Sequence, residues 1–149
     1  MIPAFSHVGI CVPDLDRSLR FYCEALGFTV ADSHDIGDEF GRLMEMEGVR
    51  LRSQFIQHES GMRLELLFFD SPSADGSRVR RPVNQFGLTH LSFRVTDVGV
   101  VAERIRELGG EVHGHTRTTF GSGEDALDFV YCSDPDGVRI ELMKLGRLT

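Results

Sequence analysis

The chain has 149 residues, 41% of them hydrophobic and 26% charged, a length that supports one well-buried core. Its 16 Lys and Arg stand against 23 Asp and Glu, a net charge of −7 that excludes sequence-independent binding to nucleic acid or anionic membrane. No apolar run reaches transmembrane length, the start MIPAFSHVGICVPDLD has no basic n-region, and Cys11, Cys23 and Cys132 are too scattered for a disulfide framework. The expectation is a cytoplasmic protein.

In chain order, His7 to Val12 reads as a short strand, and Asp14 as the N-cap of a helix with Leu15, Leu19, Tyr22 and Leu26 at helical spacing. Gly27 stops that helix, and a strand over Phe28–Ser33 follows. The insert DEFGRLMEME, between Gly37 and Gly48, predicts a short helix that caps a cavity. Glu59-Ser60-Gly61 forms the turn of a hairpin whose last strand covers Leu64–Phe69. Residues 71–86 read as a linker, and its Arg78, Arg80 and Arg81 as solvated charges.

A second strand-helix pair runs from Thr89 to Val95 and on through Asp97, Val98, Val101, Ile105 and Leu108 to Gly109–Gly110. A strand over Glu111–Thr119 comes next. After it a hairpin turns at Asp134-Pro135-Asp136-Gly137 into a last strand over Val138–Leu145.

These two series are one module written twice. His7 aligns with His90, Val12 with Val95, Asp14 with Asp97 and Gly27 with Gly110, all at an offset of 83. Gly61, Arg63, Glu65 and Leu66 align with Gly137, Arg139, Glu141 and Leu142 at an offset of 76. The fold class is α+β, two tandem βαβββ modules: residues 1–70, the linker, and residues 87–149.

The repeat singles out His7, Glu65, His90 and Glu141. Each Glu lies in a strand with apolar residues on both sides, where an unpaired carboxylate is costly. A shared divalent cation would satisfy two neutral imidazoles and two carboxylates together. His34, His58, His113 and His115 have no counterpart across the repeat and read as surface or supporting residues, with His58 and His115 the ones to place near a metal. By strand alternation Arg94 shares the His90 face, at the repeat position of Cys11, and is positioned to bind a substrate anion.

From SHVGICVPDLDRSLRFYCEALGF through LELLFF and THLSFRVTD to VYCSDPDGVRIELMK, the chain resembles the vicinal oxygen chelate superfamily of glyoxalases and extradiol dioxygenases. The resemblance implies an open half-barrel sheet around a metal, with ligands matching His7, Glu65, His90 and Glu141. It implies Ni, Co, Zn, Mn or Fe(II) as the cofactor, a small-molecule substrate and a homodimer. Glu65 and Glu141 are then the candidate bases for moving a proton next to a polarised carbonyl, as in a glyoxalase I-like lyase or an acyl-CoA epimerase-like isomerase.

Glyoxalase I proteins carry an Arg and an Asn where this chain has Cys11 and Phe69, which removes two partners of glutathione. In the acyl-CoA reading, the linker arginines would meet CoA phosphates. An extradiol dioxygenase would use His7, His90 and Glu141, and Tyr131, ten residues before Glu141, matches part of its signature; the upstream His of that signature is missing. A drug-sequestering protein of the bleomycin-resistance type is the non-enzymatic alternative, against which four intact ligands argue.

Overall fold

The computed structural model describes residues 3–146. The chain divides into two compact units, one ending at Ser77 and one beginning at Arg78. In the first unit, β1 (Val8–Cys11) leads into α1 (Leu15–Leu26) and β2 (Thr29–Ile36). A 3-10 turn over Asp38–Phe40 then runs into α2 (Gly41–Met44), so the insert does form a short helix. Asp38 ties it down by accepting from the Gly48 and Val49 N–H groups, 2.8 and 3.3 Å away. β3 (Arg50–Gln57) and β4 (Arg63–Ser71) complete a sheet in the order β1-β4-β3-β2, with β1 parallel to β4 and the other pairs antiparallel.

Helix α1 starts where Asp14, in extended conformation, accepts from the Arg17 N–H at 3.0 Å. It ends at Gly27, whose left-handed φ of 74° a residue with a Cβ would resist. Its buried face, with Phe21, Tyr22, Ala25 and Leu26, joins Leu64 and Leu66 of β4 in the core. Strand alternation then turns Glu65 to the opposite face of the sheet.

The second unit repeats the plan. It runs β5 (Leu91–Arg94), α3 (Val98–Glu107), β6 (Glu111–Val112), β7 (Thr118–Phe120), β8 (Leu127–Ser133) and β9 (Arg139–Lys144). Its sheet has the order β5-β9-β8-β6, with β7 also on β8. The strand expected over Glu111–Thr119 is broken by a 3-10 turn at Gly114–Thr116. Thr116 explains the break: its hydroxyl donates to the His113 carbonyl and accepts from the Tyr131 N–H, replacing a ladder bond with side-chain bonds. Ile140 and Leu142 are fully buried on the helix side, which turns Glu141 outward as Glu65 is turned in the first unit.

Residues 72–90 contain no helix or strand. Their arginines are nevertheless not simply solvated. Arg78 pairs with Asp136 at 3.4 Å, Arg81 donates to the Leu88 carbonyl, and Arg139 donates to the carbonyls of Thr89 and Arg81.

Candidate metal centre

The first unit brings His7 and Glu65 together, because β1 runs parallel to β4 with Gly9 in register with Glu65. His7 Nε2 lies 3.1 Å from Glu65 Oε2, and His7 Nδ1 hydrogen-bonds the Ser6 hydroxyl at 2.9 Å. Ser53 donates its hydroxyl to Glu65 Oε1 from β3. The Phe55 ring stands edge-on to His7 at 5.1 Å, with the Arg63 guanidinium over the Phe55 ring, 4.7 Å from its centroid.

In the second unit His90 Nε2 lies 3.5 Å from Glu141 Oε2, and His90 Nδ1 bonds the Thr89 hydroxyl at 2.9 Å. Ser92 donates to Glu141 Oε2 at 2.7 Å, Tyr131 stands edge-on to His90 at 5.6 Å, and Arg139 lies over Tyr131 at 5.5 Å.

This geometry suits a cation. In both units a hydroxyl occupies Nδ1 and leaves Nε2 directed at the carboxylate, which fixes the ring as supporting bonds do in metal sites. A cation taking the place of the Nε2 proton would sit between two good donors. All four side chains are half-buried, with 16 to 33% of their surface exposed, accessible but partly shielded from water. Each unit holds one such His–Glu pair. Among the described residues no cluster of three or more His, Cys, Asp or Glu side chains is gathered as a metal-binding group.

The two carboxylates are held differently. Glu65 has contacts on both oxygens, whereas both contacts of Glu141 fall on Oε2. Glu141 also lines a depression of about 210 Å³ with Thr118, Phe120, Phe129 and Tyr131 among its walls.

A family model described as the Glyoxalase/Bleomycin resistance protein/Dioxygenase superfamily matches residues 4–142. The chain belongs to that superfamily. Among its relatives is a 2-epi-5-epi-valiolone epimerase from Actinomyces sp, 27% identical over 95% of this chain and 79% of the other. Another is an ethylmalonyl-CoA/methylmalonyl-CoA epimerase from Cereibacter sphaeroides, 28% identical over 95% and 98%. A solved glyoxalase family protein from Bacillus cereus, 23% identical, superposes with a TM-score of 0.82 over 98% of this chain and 97% of that one. The two tandem βαβββ modules are thus the glyoxalase fold.

On this glyoxalase-superfamily scaffold the other expected residues divide between the units, Cys11 and Phe69 in the first and Arg94 and Tyr131 in the second. Arg94 is exposed, in register with Met143 on the face that carries Glu141. Cys11 is exposed beside Leu67, Phe69 is half-buried opposite Leu51, and Tyr131 stands against His90. His58 is held in the β3–β4 turn by Ser60 and packs on Phe28, while His115 stands beside His113. It is His34 that reaches the site face, 6.2 Å from the Phe55 ring. Burial pushes the Cys132 thiol up to about 11, which keeps it protonated and unreactive.

The residues that sequence reasoning missed are the hydroxyls. Ser6 and Thr89 precede the two histidines at the same offset of 83, a repeated signal that was readable. Ser53 and Ser92 carry no such signal, because they sit on different strands of the repeat.

Proposed function

We propose that this protein is a metal-dependent isomerase or lyase that moves a proton at a carbon next to a carbonyl, with His7, Glu65, His90 and Glu141 holding one divalent cation. The observation that carries the reading is the His–Glu pair made twice, each with the imidazole Nδ1 fixed by a hydroxyl. Ni, Co, Zn, Mn or Fe(II) bound there would supply Lewis-acid polarisation of a substrate oxygen and make the neighbouring C–H acidic.

Glu141 is the proton-moving group, since Oε1 has no hydrogen bond or ion pair among the described residues and the carboxylate borders a depression. Glu65, engaged on both oxygens, is the steadier ligand and the second candidate base. Returning a proton to the opposite face of the same carbon, with Glu65 as the second acid–base group, gives epimerisation; returning it to the neighbouring carbon gives a glyoxalase I-like rearrangement. Relatives named as epimerases, and Cys11 and Phe69 in place of glutathione partners, favour the first. Arg94, with no ion pair among the described residues, is the group to hold an anionic end of the substrate. We place the enzyme in the cytoplasm as a homodimer acting on a small molecule. Among the described residues no helix is long and apolar enough to cross a membrane.

Ring cleavage by His7, His90 and Glu141 is a second reading, favoured by Tyr131 beside His90. The experiment measures metal per chain after loading, then deuterium uptake at the α-carbon of candidate 2-oxo and acyl-thioester substrates in deuterated water. One bound metal per site and exchange that vanishes in His90→Ala and Glu141→Ala support the proposal. Oxygen consumption with catechols and no exchange would replace it with ring cleavage. Absence of affinity for all five metals would sink both and leave a non-enzymatic binding protein.

A further inference from the structure

The segment that begins the second unit builds a second cavity, of about 410 Å³, against the β8–β9 turn. Arg78, Arg80, Glu111, Ser133 and Asp134 are among the residues that line it. Arg78 is spent on Asp136, and the Asp134 carboxylate accepts from the Asp136 and Val138 N–H groups at 2.9 and 2.8 Å. Glu111 lies 3.4 Å from His113 Nδ1. Arg80, half-buried, has no ion pair or hydrogen bond among the described residues.

Arg80 also stands in poor company. Its charge acts on buried His113 and on Arg139, which is itself 92% buried by its 8% exposure. Burial first, and Arg80 next, hold His113 below the ordinary His range; His115 and Arg139 push the same way and Glu111 opposes them. Ser133, 3% exposed, places its hydroxyl 2.7 Å from His113 Nε2. Arg78 being paired, an unpaired guanidinium at the cavity in a chain of net charge −7 is an arrangement that an anion would relieve.

We propose that this cavity is a binding site for a phosphate-class oxyanion, gripped by the Arg80 guanidinium. The guanidinium fork matches tetrahedral oxyanions, and the volume lies in the range of small organic ligands, so the phosphate can be free or carried on a larger molecule. Bound there, the anion offsets the Arg80 charge felt by His113 and makes protonation of that imidazole easier.

The test is NMR of the histidine ring resonances in the full chain without added metal, with His113 assigned through His113→Asn. Inorganic pyrophosphate and ADP are titrated separately. Both are expected to raise the His113 midpoint saturably, and Arg80→Gln to weaken binding about tenfold or more, with Arg80→Lys between them. A markedly tighter response to ADP assigns the phosphate to an organic carrier; equal responses assign it to free oxyanion. Arg80→Gln makes no contact to lose, so its folding is checked only by circular dichroism. No saturable shift up to 10-millimolar-scale ligand (~10 mM), or identical binding by Arg80→Gln, overturns the proposal. Neither result bears on the metal centre, whose test is metal content.

Discussion

Gly61 and Gly137 occupy the same position of the repeat and nearly the same backbone conformation, with φ of 87° and 89°. Each closes a turn through its own N–H, to His58 and Asp134 respectively. They differ in surroundings. A Cβ at Gly61 meets nothing within 4 Å, whereas a Cβ at Gly137 would overlap the Arg78 carbonyl oxygen and lie 3.0 Å from its carbon.

Gly61→Ala therefore isolates the left-handed backbone cost, about 1–2 kcal/mol. Gly137→Ala carries the same cost and must also displace the Arg78 backbone, adding about 1–3 kcal/mol as overpacking does elsewhere. The docked segment stands to lose its Arg78–Asp136 pair as well. The expected totals are about 1–2 kcal/mol for the first variant and about 2–5 kcal/mol for the second. Equilibrium urea unfolding, compared at unchanged m, measures both. Losses equal to within about 0.5 kcal/mol would mean that residues 78–81 yield freely and are not docked on the turn.

Asp97 accepts from the Val100 N–H at 3.0 Å, so Asp97→Ala should cost about 0.5–2 kcal/mol in urea unfolding, and Asp97→Asn much less. Because His113 is held below its ordinary range when folded, the unfolded chain takes up its proton first. The stability from neutral His113 is complete above about pH 6.5 and is lost as pH falls through the folded-state value; His113→Asn should flatten the urea midpoint between about pH 7 and 5. Ser92→Ala removes the hydroxyl that orients Glu141 and should weaken metal affinity about 10- to 100-fold in chelator competition; unchanged affinity would show that the carboxylate needs no such support.

The duplication made most of the fold legible, since a helix bounded by Asp14 and Gly27, or by Asp97 and Gly109, has local causes that a sequence displays. The pairings of His7 with Glu65 and His90 with Glu141 followed from the same repeat, because one strand register serves both. The features that the sequence does not display depend on tertiary bonds. Thr116 breaks a strand by bonding to Tyr131 fifteen residues away, and the linker is anchored by Asp136, which pairs with Arg78, and by Arg139, which donates to the Arg81 carbonyl. Turn geometry sends His58 to Ser60 and Phe28, while the bulged pairing of β2 on β3 brings His34 to the site face.

The hydroxyl that steadies each glutamate comes from opposite neighbours in the two sheets. Glu141 takes it from Ser92 on the parallel strand, and Glu65 from Ser53 on the antiparallel one. Position 9, which matches Ser92, is glycine, and position 129, which matches Ser53, is phenylalanine. A sheet thus offers every central carboxylate two seats for a donor, one on each flank, and the copies have filled different ones. The vacant seat in the first unit has room, for a Cβ at Gly9 would lie 3.6 Å from Leu67 and 3.8 Å from Glu65 Oε2. Two descendants of one module have kept the same bond while free to exchange its source.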